Sequence, residues 1–134
     1  MKSKIKNALI SVSDKNGLSA VLKILKKYKV NLISSGGSFK YIKKRGYEVN
    51  EVSEFTNFSE MLDGRVKTLH PKIHAGILFD RQKKKHVKEM ANLNFEPIDL
   101  VIVNFYPFSE TLKKTHNDKK IIENIDIGGP TLVR

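Results

Sequence analysis

The sequence contains no cysteine, which excludes disulfides and thiolate metal sites and is typical of a protein of the reducing cytoplasm. It has no run approaching the ~18 apolar residues of a membrane helix, and the apolar stretch in its basic N-terminus is too short for a secretory signal. Low-complexity segments, internal repeats and Pro/Gly-rich linkers are absent as well. We therefore expect one soluble, cytoplasmic domain over residues 1–134, with no membrane as partner.

Acidic residues are also scarce, because 14 Asp and Glu stand against 25 Lys and Arg, for a net charge of +11. Such a surplus raises the local concentration of anionic ligands. A nucleic-acid binder usually combines arginine forks with exposed aromatic side chains. Here most of the cations are lysines, and the longest basic run, 81–88, contains no aromatic residue. We interpret that run as a solvated helix face and expect a small anionic partner rather than a nucleic acid.

Apolar runs alternate with helical patterns along the chain. Leu18, Val21, Leu22 and Leu25 have the spacing of an amphipathic helix, with Asp14 as its expected N-cap. The other predicted elements are strands at 7–13, 30–35, 47–53 and 99–105, and helices at 38–45 and about 80–93. The continuous apolar run at 99–105 is typical of a central parallel strand. The fold class predicted is α/β, with a mostly parallel sheet and helices on both faces.

Small and polar residues follow three of the predicted strands, at 11–15, 34–38 and 104–108. Ligands of open α/β sheets bind beyond the carboxyl ends of the strands, so these residues should converge. In "SSGGS" (34–38), two glycines would let backbone N–H groups approach a phosphate at the start of the next helix. The alternative is a simple tight turn from strand to helix. The spacing matches neither a P-loop nor a dinucleotide fingerprint.

A second unusual stretch is "MLDGRVKTLHPKIHAGIL" (61–78), where Arg65, Lys67, Thr68, His70 and His74 lie close together. It could hold a metal, a nucleic-acid backbone or a phosphorylated small molecule. A metal is disfavoured, because the proline after His70 opposes a helix there and nearby acidic or thiolate ligands are missing. Arg65 and Lys67 suit a phosphate or an oxyanion, although both could be solvated loop cations.

Five segments in order, "SVSDKNGL", "LISSGGSFKYI", "FSEMLDGRVKTLHPKIHAGIL", "VNFYPF" and "IENIDIGGPTLVR", resemble the IMP cyclohydrolase domain. This is the N-terminal domain of the bifunctional AICAR transformylase/IMP cyclohydrolase family of purine biosynthesis. The resemblance implies a methylglyoxal-synthase-like α/β fold, a homodimer and no metal or organic cofactor. It also implies a phosphorylated purine-precursor nucleotide as partner. The implied reaction closes formyl-AICAR (FAICAR) to IMP with loss of water.

The resemblance also implies roles for individual residues. Lys67, Tyr106 and Asp126 match the residues assigned to the chemistry. The matching substrate-binding positions are Ser13, Asp14, Lys15, Ser35, Gly36, Gly37, Ser38, Arg65, Val66, Lys67, Thr68, Val103, Asn104, Asp126 and Ile127. Ser38 stands where the family commonly has threonine, which keeps the hydroxyl. As a hypothesis, Lys67 stabilises an oxyanion, Tyr106 transfers a proton and Asp126 holds the carboxamide.

The family continues beyond the matched region, into a segment with a functional lysine and then a transformylase domain. We therefore expect 1–134 to be a cyclohydrolase domain truncated at its C-terminal end, without the transformylase domain. Such a chain should bind nucleotide and turn over FAICAR poorly. The alternative function is a regulatory nucleotide-binding module of the same fold, without catalysis.

Overall fold

A four-stranded parallel sheet forms the centre of the protein in this computed structural model, which describes residues 4–133. The strands are β1 (Asn7–Ser11), β2 (Asn31–Ser34), β3 (Asn50–Glu51) and β4 (Leu100–Val103). Their order in the sheet is β3-β2-β1-β4, and every pairing is parallel. The predicted α/β class with a parallel sheet is confirmed.

Eight helices connect and follow the strands within residues 4–133. They are α1 (Leu18–Lys27), α2 (Gly36–Lys44), α3 (Val52–Thr56), α4 (Pro71–Leu78), α5 (Lys84–Asn92), α6 (Phe108–Lys114), α7 (Asp118–Glu123) and α8 (Gly128–Val133). No helix in this described part is long and apolar enough to cross a membrane.

Helices cover both faces of the sheet, as predicted. Successive residues of a strand point to opposite faces, so β1 divides its side chains between two cores. Ala8 and Ile10 join the buried cluster formed with α1 and α2, which includes Leu22 and Ile42. Leu9 joins the cluster on the other face, where α3, α4 and α8 contribute. The members of that second cluster are Leu9, Ile33, Val52, Ile73, Ile98 and Leu132.

The position of β4 differs from the prediction, because it lies at the edge of the described sheet and not at its centre. Its residues alternate between the two cores, with Leu100 and Ile102 on one face and Val101 and Val103 on the other. The continuous apolar run therefore indicates that both faces of β4 are packed against a hydrophobic core. It carries no information about whether a strand lies on each side.

Three local expectations near the other elements also need correction. Asp14 is not the N-cap of α1, because Gly17 holds that place in the left-handed conformation, and the Asp14 carboxylate accepts the N–H of Asn16. The run at 47–53 gives only the short β3, since the chain turns into α3 at Val52. The lysine-rich helix is confined to 84–92. Gly46 follows the end of α2 with φ 77°, the left-handed conformation typical of a glycine after a helix.

Hydrogen bonds to the Asp99 side chain connect the start of β4 to the start of β1. Its carboxylate accepts the N–H groups of Lys6 at 2.7 Å and Asn7 at 3.0 Å, and the guanidinium of Arg81 at 2.7 Å. Burial raises the pKa of Asp99, but the hydrogen bonds from Asn7, Lys6 and Arg81 outweigh it and hold the pKa below its ordinary value. The ionised form therefore stabilises the fold.

We expect Asp99→Asn to lower the free energy of unfolding at pH 7 by about 1–3 kcal/mol, as for lost hydrogen bonds to a charged group. A depressed folded-state pKa gives stability that is present above the unfolded pKa of about 3.9 and is lost as pH falls through the folded value. Urea titrations at pH 7, 5 and 3 should show the two proteins converging at the lowest pH. A constant difference would contradict the role of the charge.

Candidate functional site

Asn104, directly after β4, binds the loop that follows β1. Its side-chain oxygen accepts the N–H groups of Ser13 at 2.6 Å and Asp14 at 3.1 Å, and its amide nitrogen donates to the carbonyl of Asp14 at 2.7 Å. The backbone N–H of Asn104 also donates to Ser11, at 3.3 Å. One side chain thus joins two strand ends and shapes the loop that carries Lys15.

The first turn of α2 is held against the same strand end by Ser38. Its buried hydroxyl donates to the carbonyl of Val12 at 2.9 Å and accepts the N–H of Val12 at 3.0 Å. Ser35 takes the N-cap position in an extended conformation, and Gly36 follows with φ 56°. The N-terminus of α2 therefore opens at the edge where the strands end, with the partial positive charge that favours an anion.

Two ammonium groups flank this first turn of α2. The Lys15 Nζ lies 3.6 Å from the place that a Cβ on Gly37 would take, and the Lys67 Nζ lies 2.9 Å from the corresponding place on Gly36. Lys15 also donates to the carbonyls of Val12 and Ser13, which fixes its direction. Within residues 4–133 neither lysine forms an ion pair with a carboxylate. Both charges are thus available to an anion at the start of α2.

The loop before α4 brings Lys67 and Arg65 to this edge. Met61 and Val66 form an isolated antiparallel bridge, closed by a turn with positive φ at residues 62–64. Arg65 projects from the turn and pairs with Glu123 of α7. Thr68 is buried, and its hydroxyl lies 3.0 Å from the place that a Cβ on Gly128 would take.

The two histidines of this stretch have different surroundings. His70 is the N-cap of α4, and its Nδ1 accepts the N–H of Lys72 at 3.0 Å. The Nε2 of His74 is buried without a hydrogen-bond partner among the described residues. In residues 4–133 no group of three His, Asp or Glu side chains could hold a metal ion.

Asp126 connects the end of β4 to the start of α8. Its Oδ1 accepts the N–H of Gly129 at 2.8 Å, and its Oδ2 accepts the N–H of Tyr106 at 3.2 Å. A Cβ on Gly129 would lie 2.6 Å from Oδ2, so this glycine is needed for the carboxylate to sit there. The two contacts hold the Asp126 carboxylate against the backbone of Tyr106 and Gly129.

These segments enclose two adjoining cavities, which we call inner and outer. The inner cavity, of 230 Å³, is lined by Ser11, Val12, Ser13, Lys15, Ser35, Gly37, Ser38, Lys67, Thr68, Asn104, Tyr106, Asp126 and Gly129. The outer cavity, of 450 Å³, is lined by Asp63, Gly64, Arg65, Lys67, Tyr106, Ile122, Glu123, Ile125, Asp126, Ile127 and Gly128. Lys67, Tyr106 and Asp126 belong to both linings, so they form the wall between the two cavities.

Comparison with known proteins shows the family of this chain. Residues 17–131 match the MGS-like domain family. The chain belongs to this family. It is 51% identical over 130 residues to the bifunctional purine biosynthesis protein PurH of Clostridium acetobutylicum, and 52% identical over 129 residues to that of Fusobacterium nucleatum. These matches cover 97% and 96% of the chain but 26% of each relative, so the chain spans about a quarter of their length.

A solved structure resembles the MGS-like chain as well. The crystal structure of ForH superposes with a TM-score of 0.77 and 26% sequence identity, covering 96% of the chain and 65% of ForH. The methylglyoxal-synthase-like fold expected from the sequence is therefore confirmed for this domain.

The structure brings most of the predicted site residues of this MGS-like domain to the two cavities. The predicted positions outside both linings are Asp14, Gly36, Val66 and Val103, although Gly36 lies against Lys67. One apolar side of the outer cavity was not predicted from the sequence, and it consists of Ile122 and Ile125 beside the predicted Ile127. Glu123, whose partner is 58 residues away, was not predicted either. Contact of any of these residues with a ligand stays a prediction.

Gly36→Ala should impair the site beyond its effect on stability. The new methyl would be strained by the positive φ of 56° and would meet the Lys67 ammonium at 2.9 Å. We expect the affinity for a 5′-monophosphate nucleotide such as IMP to fall by about tenfold or more, the scale of one charge-assisted hydrogen bond. Calorimetric titration measures it.

Gly17→Ala is the matched control, because Gly17 has a similar φ of 78° and nothing within 4 Å of its added methyl. It should lower thermal stability to a similar degree, because the backbone strain is similar in the two variants. It should leave nucleotide affinity within about twofold, because the added methyl contacts no lysine. Equal losses of affinity in both variants would show that strain, and not displacement of Lys67, explains the effect.

Proposed function

We propose that this domain is an IMP cyclohydrolase of purine biosynthesis, which closes FAICAR to IMP. The observation that carries the proposal is the wall between the cavities, where Lys67, Tyr106 and Asp126 meet from three separate segments. In the reaction the carboxamide nitrogen attacks the formyl carbon and forms the new C–N bond. The formyl oxygen then leaves as water, with one proton from the carboxamide nitrogen and one from the formamide nitrogen, by way of the site or solvent.

The charges of the two cavities support one orientation of the substrate. Two cations and one carboxylate line the inner cavity, whereas two cations and three carboxylates line the outer cavity. The phosphate therefore fits the inner cavity, against the N-terminus of α2 and Lys15. The uncharged imidazole ring fits the outer cavity, beside the exposed isoleucines 122, 125 and 127. The reacting groups then lie at the wall.

Holding the substrate in this orientation would account for much of the rate. An amide is a poor nucleophile, but both reacting groups are carried by one imidazole ring and need only the reactive rotamer. Fixing such groups in contact can contribute roughly 7–11 kcal/mol of the barrier. The opposite ends of the site, one for phosphate and one for the ring, supply the two anchors that such alignment needs.

Lys67 is placed to stabilise negative charge at the formyl oxygen. Lys67 lines both cavities, and its ammonium lies against Gly36 at the positive end of α2. A preorganised donor at an oxygen that gains charge in the transition state is worth about 100- to 1000-fold in rate. We assign Lys67 this oxyanion role.

Asp126 and Tyr106 are assigned the proton transfers. A carboxylate has about four acceptor sites, and Asp126 uses two of them for the N–H groups of Tyr106 and Gly129. The remaining sites can accept an N–H of the substrate carboxamide and increase the electron density on its nitrogen. Tyr106, which lines the same wall, then donates its hydroxyl proton toward the leaving oxygen.

The relatives support the pathway of this proposal, since those named PurH carry purine biosynthesis in their name. The chain spans about a quarter of their length, and the activity that we propose for this part is the cyclohydrolase one. The homodimer implied by the resemblance stays a prediction.

Tyr106→Phe and Lys67→Met should each lower the rate of FAICAR cyclisation by about 100-fold or more, as expected for loss of a proton donor or an oxyanion donor. Tyr106→Phe should keep IMP affinity within a few-fold, because the ring remains. Single-turnover cyclisation, corrected for the rate in buffer, and calorimetry with IMP measure the two effects.

Tyr28→Phe is the control, since Tyr28 is an exposed tyrosine at the end of α1, away from both cavities. It should leave both quantities unchanged. Near-normal turnover in Tyr106→Phe and Lys67→Met would remove these roles. IMP binding by the wild-type protein without any cyclisation would instead favour the regulatory module.

A further inference from the structure

Within residues 4–133, the side chain of Arg65 makes one polar contact, which is with Glu123. The Nη2 of Arg65 donates to the Oε1 of Glu123, across 58 residues of sequence. The guanidinium lines the outer cavity with its other N–H groups unused by the described residues. Since a guanidinium has five donors in a rigid fork, it can bind Glu123 and still donate to a ligand.

The two partners differ in how firmly their backbones are held. Arg65 lies in a closed turn, where the N–H of Val66 donates to Met61 and the N–H of Arg65 donates to Leu62. Glu123 ends α7, which with α6 forms a helical hairpin that contains no buried residue. The ion pair therefore joins a hydrogen-bonded turn to an exposed hairpin, and both of its partners are exposed residues that line the outer cavity.

Glu123 also decides the charge of the outer cavity. With Glu123 neutral, the lining would hold two cations and two carboxylates, one of which, Asp126, already accepts two backbone N–H groups. The charge of Arg65 would then be free to attract an anion. The other carboxylates near the turn are Asp63 and Glu60, and a Cβ on Gly64 would lie 3.5 Å from the Glu60 oxygen. Neither forms an ion pair with Arg65.

We propose that Glu123 determines the specificity of the outer cavity. By pairing with Arg65 it holds the guanidinium at the rim and cancels its charge. Arg65 then serves as a hydrogen-bond donor to a neutral carbonyl oxygen and not as a second anion site. The cavity selects a heterocycle with an uncharged carboxamide over one with a carboxylate, and the phosphate is left to the inner cavity. This inference rests on the proposed function.

The test compares two ligands that differ only in this group. They are the ribonucleotides of 5-aminoimidazole-4-carboxamide and of 5-aminoimidazole-4-carboxylate, and the readout is the ratio of their dissociation constants. Wild-type protein should bind the carboxamide more tightly. Glu123→Gln should shift the ratio toward the carboxylate by roughly three- to tenfold, as expected for removing one charge near a solvated site.

Arg65→Gln distinguishes the effect of charge from the effect of losing the ion pair. It breaks the same pair as Glu123→Gln, but it removes a positive charge and not a negative one. It should weaken both ligands and shift the ratio away from the carboxylate. Glu110→Gln and Lys114→Gln are matched controls, since these residues form an exposed pair within α6 and line neither cavity. They change the net charge by the same amounts and should leave the ratio unchanged.

The outcomes are distinguishable. If the ratio of dissociation constants moves in the same direction in Glu123→Gln and Arg65→Gln, the ion pair acts only through the structure of the cavity. This result would overturn the inference. An unchanged ratio in Glu123→Gln, with tight binding of the carboxamide, would overturn it too and leave the proposed function intact. If wild-type protein binds neither ribonucleotide, the proposed function fails and the inference fails with it.

Discussion

The pairing of β1 with a parallel strand on each side is the constraint on which the site depends. β1 pairs with β2 through Asn7–Asn31 to Ile10–Ser34, and with β4 through Ala8–Leu100 to Ser11–Val103. Parallel pairing in register brings all three carboxyl ends to one edge of the sheet. Every group discussed for ligand binding follows from that edge, either directly after a strand or from a loop packed against it.

Several polar side chains at this edge maintain the scaffold. Asn104, Ser38 and Asp126 have their polar atoms in hydrogen bonds to backbone groups of neighbouring segments. The buried Ser38 hydroxyl needs such partners, because an unpaired buried polar group costs roughly 1–3 kcal/mol. Lys15 and Lys67, by contrast, have charges that the described carboxylates leave uncompensated. The scaffold thus holds cations in place for an anion from outside.

The inner and outer cavities differ in charge, and this difference favours one orientation of a bound ligand. The inner cavity has a surplus of positive charge at a helix N-terminus, and the outer cavity has a surplus of negative charge beside exposed isoleucines. A molecule with a phosphate at one end and a neutral ring at the other matches both ends. The Arg65–Glu123 pair lies in the outer part, where it prevents a second strong anion site.

Much of this arrangement could be predicted from local sequence. The alternation of apolar runs and helical spacing determined the α/β class, and the small and polar residues after three strands determined which segments would meet. These features are local, because side-chain periodicity and glycine conformation depend on residues a few positions apart. The wrong prediction for β4 has the same origin. An apolar run indicates that both faces of a strand are covered, but it does not indicate how many strands lie beside it.

Only the tertiary structure decided which atoms contact one another within those segments. Asp14 was expected to cap α1, but the clamp of Asn104 on the backbone of Ser13 and Asp14 shapes that loop instead. Glu123 had no signal in the sequence, because its partner is 58 residues away and an exposed acidic residue at a helix end is common. The physical reason is that such contacts depend on how the loops pack across the sheet edge, and local periodicity does not encode that packing.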